Sequence, residues 1–103
     1  MHIVVLVTAK DAAQARRIAQ RLVKEKLAAC VNLLPGVRSL FRWEGKVDGA
    51  KEVLLVIKTR RSVFSKVVKT VKACHTYSVP EIIALPIVAG NPDYLAWIDA
   101  SVR

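Results

Sequence analysis

Two apolar runs, each followed by an amphipathic helical pattern, most constrain the fold of this 103-residue chain. Ile3–Val7 is continuous and rich in β-branched residues, which is typical of a strand covered on both faces. Apolar residues then recur at helical spacing over 15–23, so one helix face is apolar. Asp11 stands at the N-cap position, and Gln14 follows three residues later as in a capping box. This segment therefore predicts a strand and then a helix.

The second half of the chain shows the same order with different residues. Glu52–Thr59 predicts a strand, and an apolar stripe over 64–75 predicts a helix that Ser62 caps. A further strand is predicted over Val79–Val88, where Pro86 marks an edge or a bulge.

Between the two halves lies an extended segment that is too long for a domain of this size. Leu27–Leu34 is apolar, Pro35-Gly36 interrupts it, and alternation then continues to Trp43. If extended, these 17 residues span about 55 Å at about 3.3 Å each. A small domain is only about 30 Å across. The strand must therefore bend at Pro35-Gly36 or project from the sheet as a ribbon.

A turn predicted at Asp48-Gly49 completes this ribbon. The ribbon carries Phe41 and Trp43 on one face, and exposed aromatic residues on a strand edge favour association. We therefore expect a homo-oligomer in which the ribbon tips contact neighbouring copies. Trp97, on the last predicted helix, is expected to be a further interface residue.

The predicted order is strand–helix–strand–strand–helix–strand, followed by a short helix that begins at Asn91-Pro92. This is the ferredoxin-like βαββαβ pattern of the α+β class, an antiparallel sheet with two helices on one face. Here the pattern has an extended ribbon formed by the second and third strands and a C-terminal helix. Because no linker interrupts the pattern, we expect a single domain over residues 1–103.

The charge balance favours anionic partners in general. Lys and Arg total 17 against 8 Asp and Glu, a formal net charge of +9. The central strands Ile3–Val7 and Val53–Ile57 contain no aromatic residue, which argues against base stacking on the sheet, and nucleic acid is not a predicted partner. Binding of nucleic acid through the basic surface is the lesser option, and it should fall steeply with salt. No apolar run approaches the roughly 18 residues of a membrane helix. The first residues predict a strand rather than a leader, so we expect a cytoplasmic protein without a membrane partner.

Signatures of catalysis are missing from the sequence. It has neither a glycine-rich phosphate loop nor a nucleophile elbow, and no enzyme activity is predicted.

Cys74-His75 is the first candidate site. A thiol and an imidazole suit copper or another divalent cation, although two adjacent donors do not complete a site. The alternative is that both residues complete the buried stripe of the second helix, since free cysteine behaves as a small apolar residue.

Lys58, Tyr77 and Glu81 form the second candidate group, because strand ends and the loops after them often carry sites. Together with His75 they would converge on a small anionic molecule or on a metal with its water. Asn32 lies among apolar residues and must find a polar partner or face a cleft. The alternative is a structural ion pair between Lys58 and Glu81 at a subunit contact.

Several segments resemble the CutA family of divalent-cation tolerance proteins, in order and spacing along nearly the whole chain. The matching segments are Leu27–Asn32, Trp43–Gly45, Lys58-Thr59, His75–Ile82 and Gly90–Trp97. The resemblance implies a homotrimer of ferredoxin-like subunits, similar in architecture to PII signalling proteins. It also implies a link to metal-ion tolerance and to copper binding, but no defined biochemical activity.

Copper ligands assigned in some members of that family match Val7, Cys74 and His75 of this chain. Val7 cannot ligate, and Cys74 replaces an imidazole with a thiol, which shifts the preference toward Cu(I). Thr76 stands where the family usually has proline. Three functions stay open: a trimeric metal-responsive protein, a PII-like sensor that binds a small anionic ligand between subunits, and a structural or protein-interaction trimer.

Overall fold

All 103 residues are described by the computed structural model, which contains four strands and three helices. The strands are β1 (His2–Ala9), β2 (Cys30–Trp43), β3 (Lys46–Arg60) and β4 (Ile82–Pro86). The helices are α1 (Ala12–Lys24), α2 (Phe64–Cys74) and α3 (Pro92–Ser101), and a short 3-10 turn at Arg61–Val63 leads into α2. The strands form one antiparallel sheet in the order β2-β3-β1-β4. The predicted α+β class and antiparallel sheet are confirmed.

One face of the sheet packs against α1 and α2 and forms the core. Every second residue of β1 and of the sheet-centre part of β3 is buried there, including Val5 and Leu55. Ile18 of α1 and Val67 of α2 are fully buried above them, and Ile98 of α3 joins the same cluster of 18 apolar residues. Burial of each large apolar side chain contributes about 1.5–3 kcal/mol. This packing fixes the ends of the strands, from which the candidate site residues extend.

The opposite face of the sheet is also apolar, but much of it is exposed. The register places Leu6 beside Ile83 and Val4 beside Leu85 on this side. Ile83 and Leu85 are 51% and 49% exposed, and Leu34 on β2 is 43% exposed. We call this surface the open face, and its apolar members are Val4, Leu6, Leu34, Leu54, Val56, Ile83 and Leu85.

The third strand is longer than predicted because the turn before it lies earlier in the chain. The chain reverses at Glu44-Gly45, whose φ angles of 50° and 77° are both positive, as a two-residue turn with a primed geometry requires. The predicted turn at Asp48-Gly49 is wrong, since both residues lie within β3. Gly49 sits opposite Leu40, and a Cβ there would lie 3.1 Å from the Leu40 Cδ2 atom. Its glycine therefore serves close packing rather than a turn.

The long second strand both bends and projects. A bulge interrupts its pairing with β3 between Leu34 and Val37, and Gly36 within it has φ +79°. The molecule measures 44 × 25 × 23 Å. Its longest dimension greatly exceeds the other two, as expected for a ribbon that extends beyond the rest of the sheet.

Two of the three predicted helix caps are present. Asp11 Oδ1 accepts a hydrogen bond from the backbone N–H of Gln14 at 2.8 Å, and Asn91 Oδ1 accepts one from Asp93 at 3.0 Å. The prediction that Ser62 caps α2 is wrong. Ser62 lies inside the 3-10 turn and caps no helix, so α2 begins at Phe64 without a side-chain cap.

The second and fourth strands are shorter at their ends than predicted. β2 begins at Cys30, because the N–H groups of Leu27 and Ala28 donate to the Leu22 carbonyl oxygen and so complete the end of α1. β4 covers only Ile82–Pro86. None of the three helices has the length and apolar composition that crossing a bilayer requires.

Candidate functional site

The loop between α2 and β4 is held by the imidazole ring of His75. The Nδ1 atom accepts a hydrogen bond from the Tyr77 N–H at 3.1 Å, so the ring proton is on Nε2. Nε2 donates that proton to the Thr8 carbonyl oxygen at 2.7 Å. Both ring nitrogens are therefore engaged within the chain, and the lone pair that a metal needs is already used.

Tyr77 continues this set of contacts. Its hydroxyl donates to Glu52 Oε2 at 2.9 Å, and its ring lies 4.6 Å from that of His75. Glu52 is only 8% exposed. Burial, followed by the hydrogen bond to Glu52, raises the pKa of Tyr77 to about 12. The phenol is therefore neutral at physiological pH.

Thr76, which replaces the proline of the resembling family, also has a structural partner. Its Oγ1 accepts a hydrogen bond at 2.9 Å from Nε2 of Gln14, a fully buried residue of α1. The Oε1 atom of Gln14 accepts from the backbone N–H of Lys10 at 3.1 Å. The 75–77 loop is therefore tied to β1, α1 and β3 together, and we call this set of contacts the loop clamp.

Cys74 lies next to His75 in sequence but has a different environment. Its Sγ atom accepts a hydrogen bond from Arg21 Nη1 at 3.6 Å, and Arg21 Nε lies 2.6 Å from Glu25 Oε2. The hydrogen bond that Arg21 donates to Glu25, and after it the one that it donates to Cys74, raises the pKa of Arg21. The thiol therefore belongs to the α1–α2 surface, away from the hydrogen bonds of the His75 ring.

These positions do not fit a copper centre within one chain. The ring nitrogens of His75 are both bonded, Cys74 contacts Arg21, and Val7 is a fully buried apolar residue. Moreover, no group of three or more His, Cys, Asp and Glu side chains is placed to hold a metal ion. The predicted pair is therefore not a closed site in a single copy.

The predicted ligand cleft divides into two places. Lys58 and Asn32 lie together at one end of β2 and β3, where the Lys58 ammonium donates to Asn32 Oδ1. Lys58 Nζ also lies 3.8 Å from Cys30 Sγ. The Lys58 ammonium is therefore the polar partner of the Asn32 amide, which its apolar neighbours cannot supply. Within one chain Lys58 and Glu81 form no ion pair, so the alternative of a Lys58–Glu81 pair at a subunit contact stays a prediction.

Tyr77 and Glu81 lie in the second place, beside the ribbon. The strand distance between Lys58 and Glu52, the partner of Tyr77, is about 20 Å for six residues at about 3.3 Å each. Tyr77 and Glu81 line a cavity of about 930 Å³ between the ribbon and the 77–81 loop. We call this cavity the ribbon cleft.

The ribbon cleft contains charged residues that sequence reasoning missed. Arg38 and Arg42 line it, and neither has a carboxylate partner within 4.0 Å. Glu52 also lines it and accepts the hydrogen bond from the Tyr77 hydroxyl. Their alternation along the ribbon was visible in the sequence, but no local signal revealed that the 77–81 loop would lie across from them.

The predicted interface aromatics all have exposed surface. Phe41 and Trp43 lie on the ribbon, and Trp97 lies on α3, where its ring is 5.5 Å from that of Tyr94. Whether another copy covers them stays a prediction.

Comparison with known proteins gives the family. The model of the family described as "CutA1 divalent ion tolerance protein" matches residues 3–101. The chain belongs to the CutA family. A CutA relative from Thermus thermophilus, named a divalent-cation tolerance protein, is 51% identical over 98 residues, which are 95% of each chain. Its fold is the same: a solved Thermus thermophilus structure superposes with a TM-score of 0.99 at 48% identity over the full length of both chains. The family is named for tolerance of cations rather than for a reaction.

Two other CutA relatives correct the predicted location. Protein CutA of Arabidopsis thaliana, 48% identical over 98% of this chain, is named as chloroplastic, and this chain spans 56% of its length. The CutA structure from Archaeoglobus fulgidus, at 46% identity, full coverage of both chains and a TM-score of 0.97, is titled as periplasmic. The prediction of a cytoplasmic protein is therefore wrong, because relatives with this fold are named for other compartments. Both cysteines of this chain are free, so no disulfide bond points to a particular compartment.

Proposed function

We propose that this CutA-family chain acts in divalent-cation tolerance as a homotrimer that binds a cation and does not catalyse a reaction. The observation that supports it best is the open face, where Leu34, Ile83 and Leu85 are each about half exposed on one continuous sheet surface. Monomeric proteins rarely expose contiguous apolar patches of this kind. A second copy would remove this surface from water. We propose three copies because the resemblance of the sequence to the CutA family implies a homotrimer.

The ribbon supplies a second reason for association. Phe41 and Trp43 project from the body of the subunit with much of their surface exposed. Aromatic side chains of this kind are enriched in the contacts between proteins. Docking of each ribbon tip on a neighbour would bury them.

The loop clamp supports a role without catalysis. Its titratable groups are bonded to one another or to the backbone, as the His75 and Tyr77 contacts illustrate. With a pKa of about 12, the Tyr77 phenol is no base or nucleophile near neutral pH. The clamp therefore positions a loop.

The cation itself needs donors beyond those of one copy. Since no cluster of three or more suitable side chains exists in the chain, an ion held by three protein ligands takes donors from more than one subunit. This ties a response to divalent cations to the assembled trimer.

Sedimentation equilibrium at micromolar concentration tests the assembly. We expect a species of three times the 11.4 kDa chain mass. Leu85→Lys places a charge on the open face and should lower the mass toward one chain. The matched control Val88→Lys adds the same charge at a residue that is 93% exposed, outside β4, and should leave the trimer intact. A folded wild-type monomer would sink the proposal.

A second function, binding of a small anion in a PII-like manner, is favoured by the ribbon cleft. Its volume of about 930 Å³ falls within the usual range of ligand pockets, roughly 300–1,000 Å³. Arg38 and Arg42 are among the residues that line it and have no carboxylate partner, and guanidinium groups bind carboxylates and phosphates in a bidentate manner. Tyr77 and Glu81 would complete the lining.

Thermal shift measurements with inorganic pyrophosphate test this second function. We expect pyrophosphate to raise the melting temperature of the wild type but not of the Arg38→Ala/Arg42→Ala variant. Lys46→Ala/Lys51→Ala removes the same charge from two exposed ribbon residues that do not line the cleft, and it should retain the shift. An equal loss in both variants would indicate a general charge effect instead of a cleft.

A further inference from the structure

The outer surface of α1 and α2 has an unusual charge distribution. The two helices carry seven of the 17 basic residues of the chain and none of its eight acidic residues. All seven are exposed. They are Arg16, Arg17, Arg21, Lys24, Lys66, Lys69 and Lys72. We call this surface the cationic layer.

The charges of this layer are almost free of internal partners. Only Arg21 has a carboxylate within 4.0 Å, that of Glu25. The other six are left to solvent or to an external anion. Their mutual repulsion costs stability in the isolated chain, and a polyanion would relieve it.

The two helices form one surface rather than two. They pack side by side on the same face of the sheet, and the hydrogen bond from Arg21 to Cys74 joins their outer surfaces. This surface lies on the side of the sheet opposite to the open face. The cationic layer therefore stays accessible when copies associate through the open face.

The residues between the cations indicate which polyanion fits. Neither helix offers an aromatic surface on which single-stranded bases would stack. The one aromatic residue of the two helices, Phe64 of α2, packs against the core. Val23 is the one large apolar residue that the two helices expose, so there is no apolar stripe to enter a membrane interface. A surface of cations on rigid helices suits a rigid, regular array of phosphates.

We propose that the cationic layer binds the phosphate backbone of double-stranded nucleic acid without reading its sequence. The central strands of the sheet lack the aromatic residues that base stacking needs, but the cationic layer lies on the helices and contacts phosphates rather than bases. Binding of this type draws its free energy from counterion release. It depends on the helices alone and not on the proposed trimer or cleft.

Fluorescence anisotropy with a labelled mixed-sequence 20-base-pair DNA duplex tests the proposal over 50–200 mM NaCl. We expect the logarithm of the wild-type binding constant to fall linearly with the logarithm of the salt concentration. The affinity for a second, unrelated duplex should be the same within twofold. Lys66→Glu/Lys69→Glu should weaken binding at least tenfold at 50 mM salt. It should also reduce the salt slope by about two, since the slope is about −0.9 for each phosphate contact.

Lys46→Glu/Lys51→Glu is the matched control, with the same charge change on the ribbon at two exposed lysines. It should retain wild-type affinity within twofold, and sedimentation checks that both variants keep the wild-type mass. Circular dichroism checks that both fold. Equal weakening by both variants would overturn the proposal in favour of net charge alone. Absence of wild-type binding at 50 mM salt would also overturn it, as would tighter binding to phosphatidylserine vesicles than to the duplex.

Discussion

The loop clamp and the ribbon differ in how their polar groups are satisfied. In the clamp, the imidazole of His75, the hydroxyl of Tyr77 and the carboxylate of Glu52 all find partners within the chain. In the ribbon, Arg38 and Arg42 find no carboxylate, and the neighbouring aromatic rings remain exposed. A cluster whose hydrogen bonds are complete stabilises the subunit. One whose groups are unpaired is available to a ligand or to another copy.

The largest expected effect is loss of stability when the clamp is cut. His75→Ala leaves the Thr8 carbonyl and the Tyr77 N–H without their partner in a partly buried place. We expect the free energy of unfolding to fall by about 2–3 kcal/mol, because each unsatisfied buried group costs about 1–3 kcal/mol. Urea denaturation at fixed protein concentration measures it. The ribbon variant Arg42→Ala should cost less than about 0.5 kcal/mol, and equal losses in the two variants would remove the distinction.

A smaller effect is expected from Tyr77→Phe, which deprives the nearly buried Glu52 carboxylate of its donor. We expect a loss of about 1–2 kcal/mol at neutral pH. The variant should also change the response to alkali. The unfolded phenol has a pKa of 10.0 and the folded one about 12, so the fold favours the neutral form. Its contribution is complete below pH 10 and is lost as the pH rises from 10 to 12.

Melting temperatures recorded from pH 8 to pH 12 check this alkaline response. The wild type should lose more stability than Tyr77→Phe between pH 10 and pH 12. Parallel curves for the two proteins would show that the bond to Glu52 does not hold the proton.

A gain of a few tenths of a kcal/mol is expected at the tip of the ribbon. Glu44 has φ +50°, in the left-handed region that asparagine tolerates better than glutamate. Glu44→Asn should therefore stabilise the turn slightly, by up to about 0.5 kcal/mol. Urea denaturation beside Asp48→Asn, which makes the same kind of change within β3, checks it. A gain in both variants would mean that removing a negative charge, rather than the turn, is responsible.

The smallest expected effect is that of the clamp histidine on copper. Because both His75 nitrogens are bonded within the chain, titration of metal-free wild type and His75→Ala with Cu(I) and Cu(II) should give the same isotherms. Both proteins are compared at a temperature where the variant is folded. Loss of a tight site in the variant would show that His75 exchanges its internal partners for metal.

Local patterns predicted the helices and the sheet class well, because periodicity and caps such as Asp11 act over a few residues. The candidate site was less predictable. The bond from Tyr77 to Glu52 joins residues 25 apart in the chain, and nothing near either one announces the other. The sequence predicts Lys58, Asn32, Tyr77 and Glu81 in one cleft, yet within the chain only Lys58 and Asn32 meet, on adjacent strands. These pairs depend on the register between strands and on contacts between distant segments, which local sequence patterns do not predict.

The interrupted pairing at Pro35-Gly36 has a consequence for which side chains meet. Asn32 and Leu34 lie on the open side of β2, and with strict alternation Arg38 and Arg42 would follow them there. The single extra residue reverses that parity, so Phe41 and Trp43 continue the apolar surface and the arginines turn to the other side. Deleting Gly36 would place the guanidinium groups of Arg38 and Arg42 on the side of the ribbon that now carries the aromatic rings. The single extra residue thus determines whether this side of the ribbon favours or opposes contact with another copy of the chain.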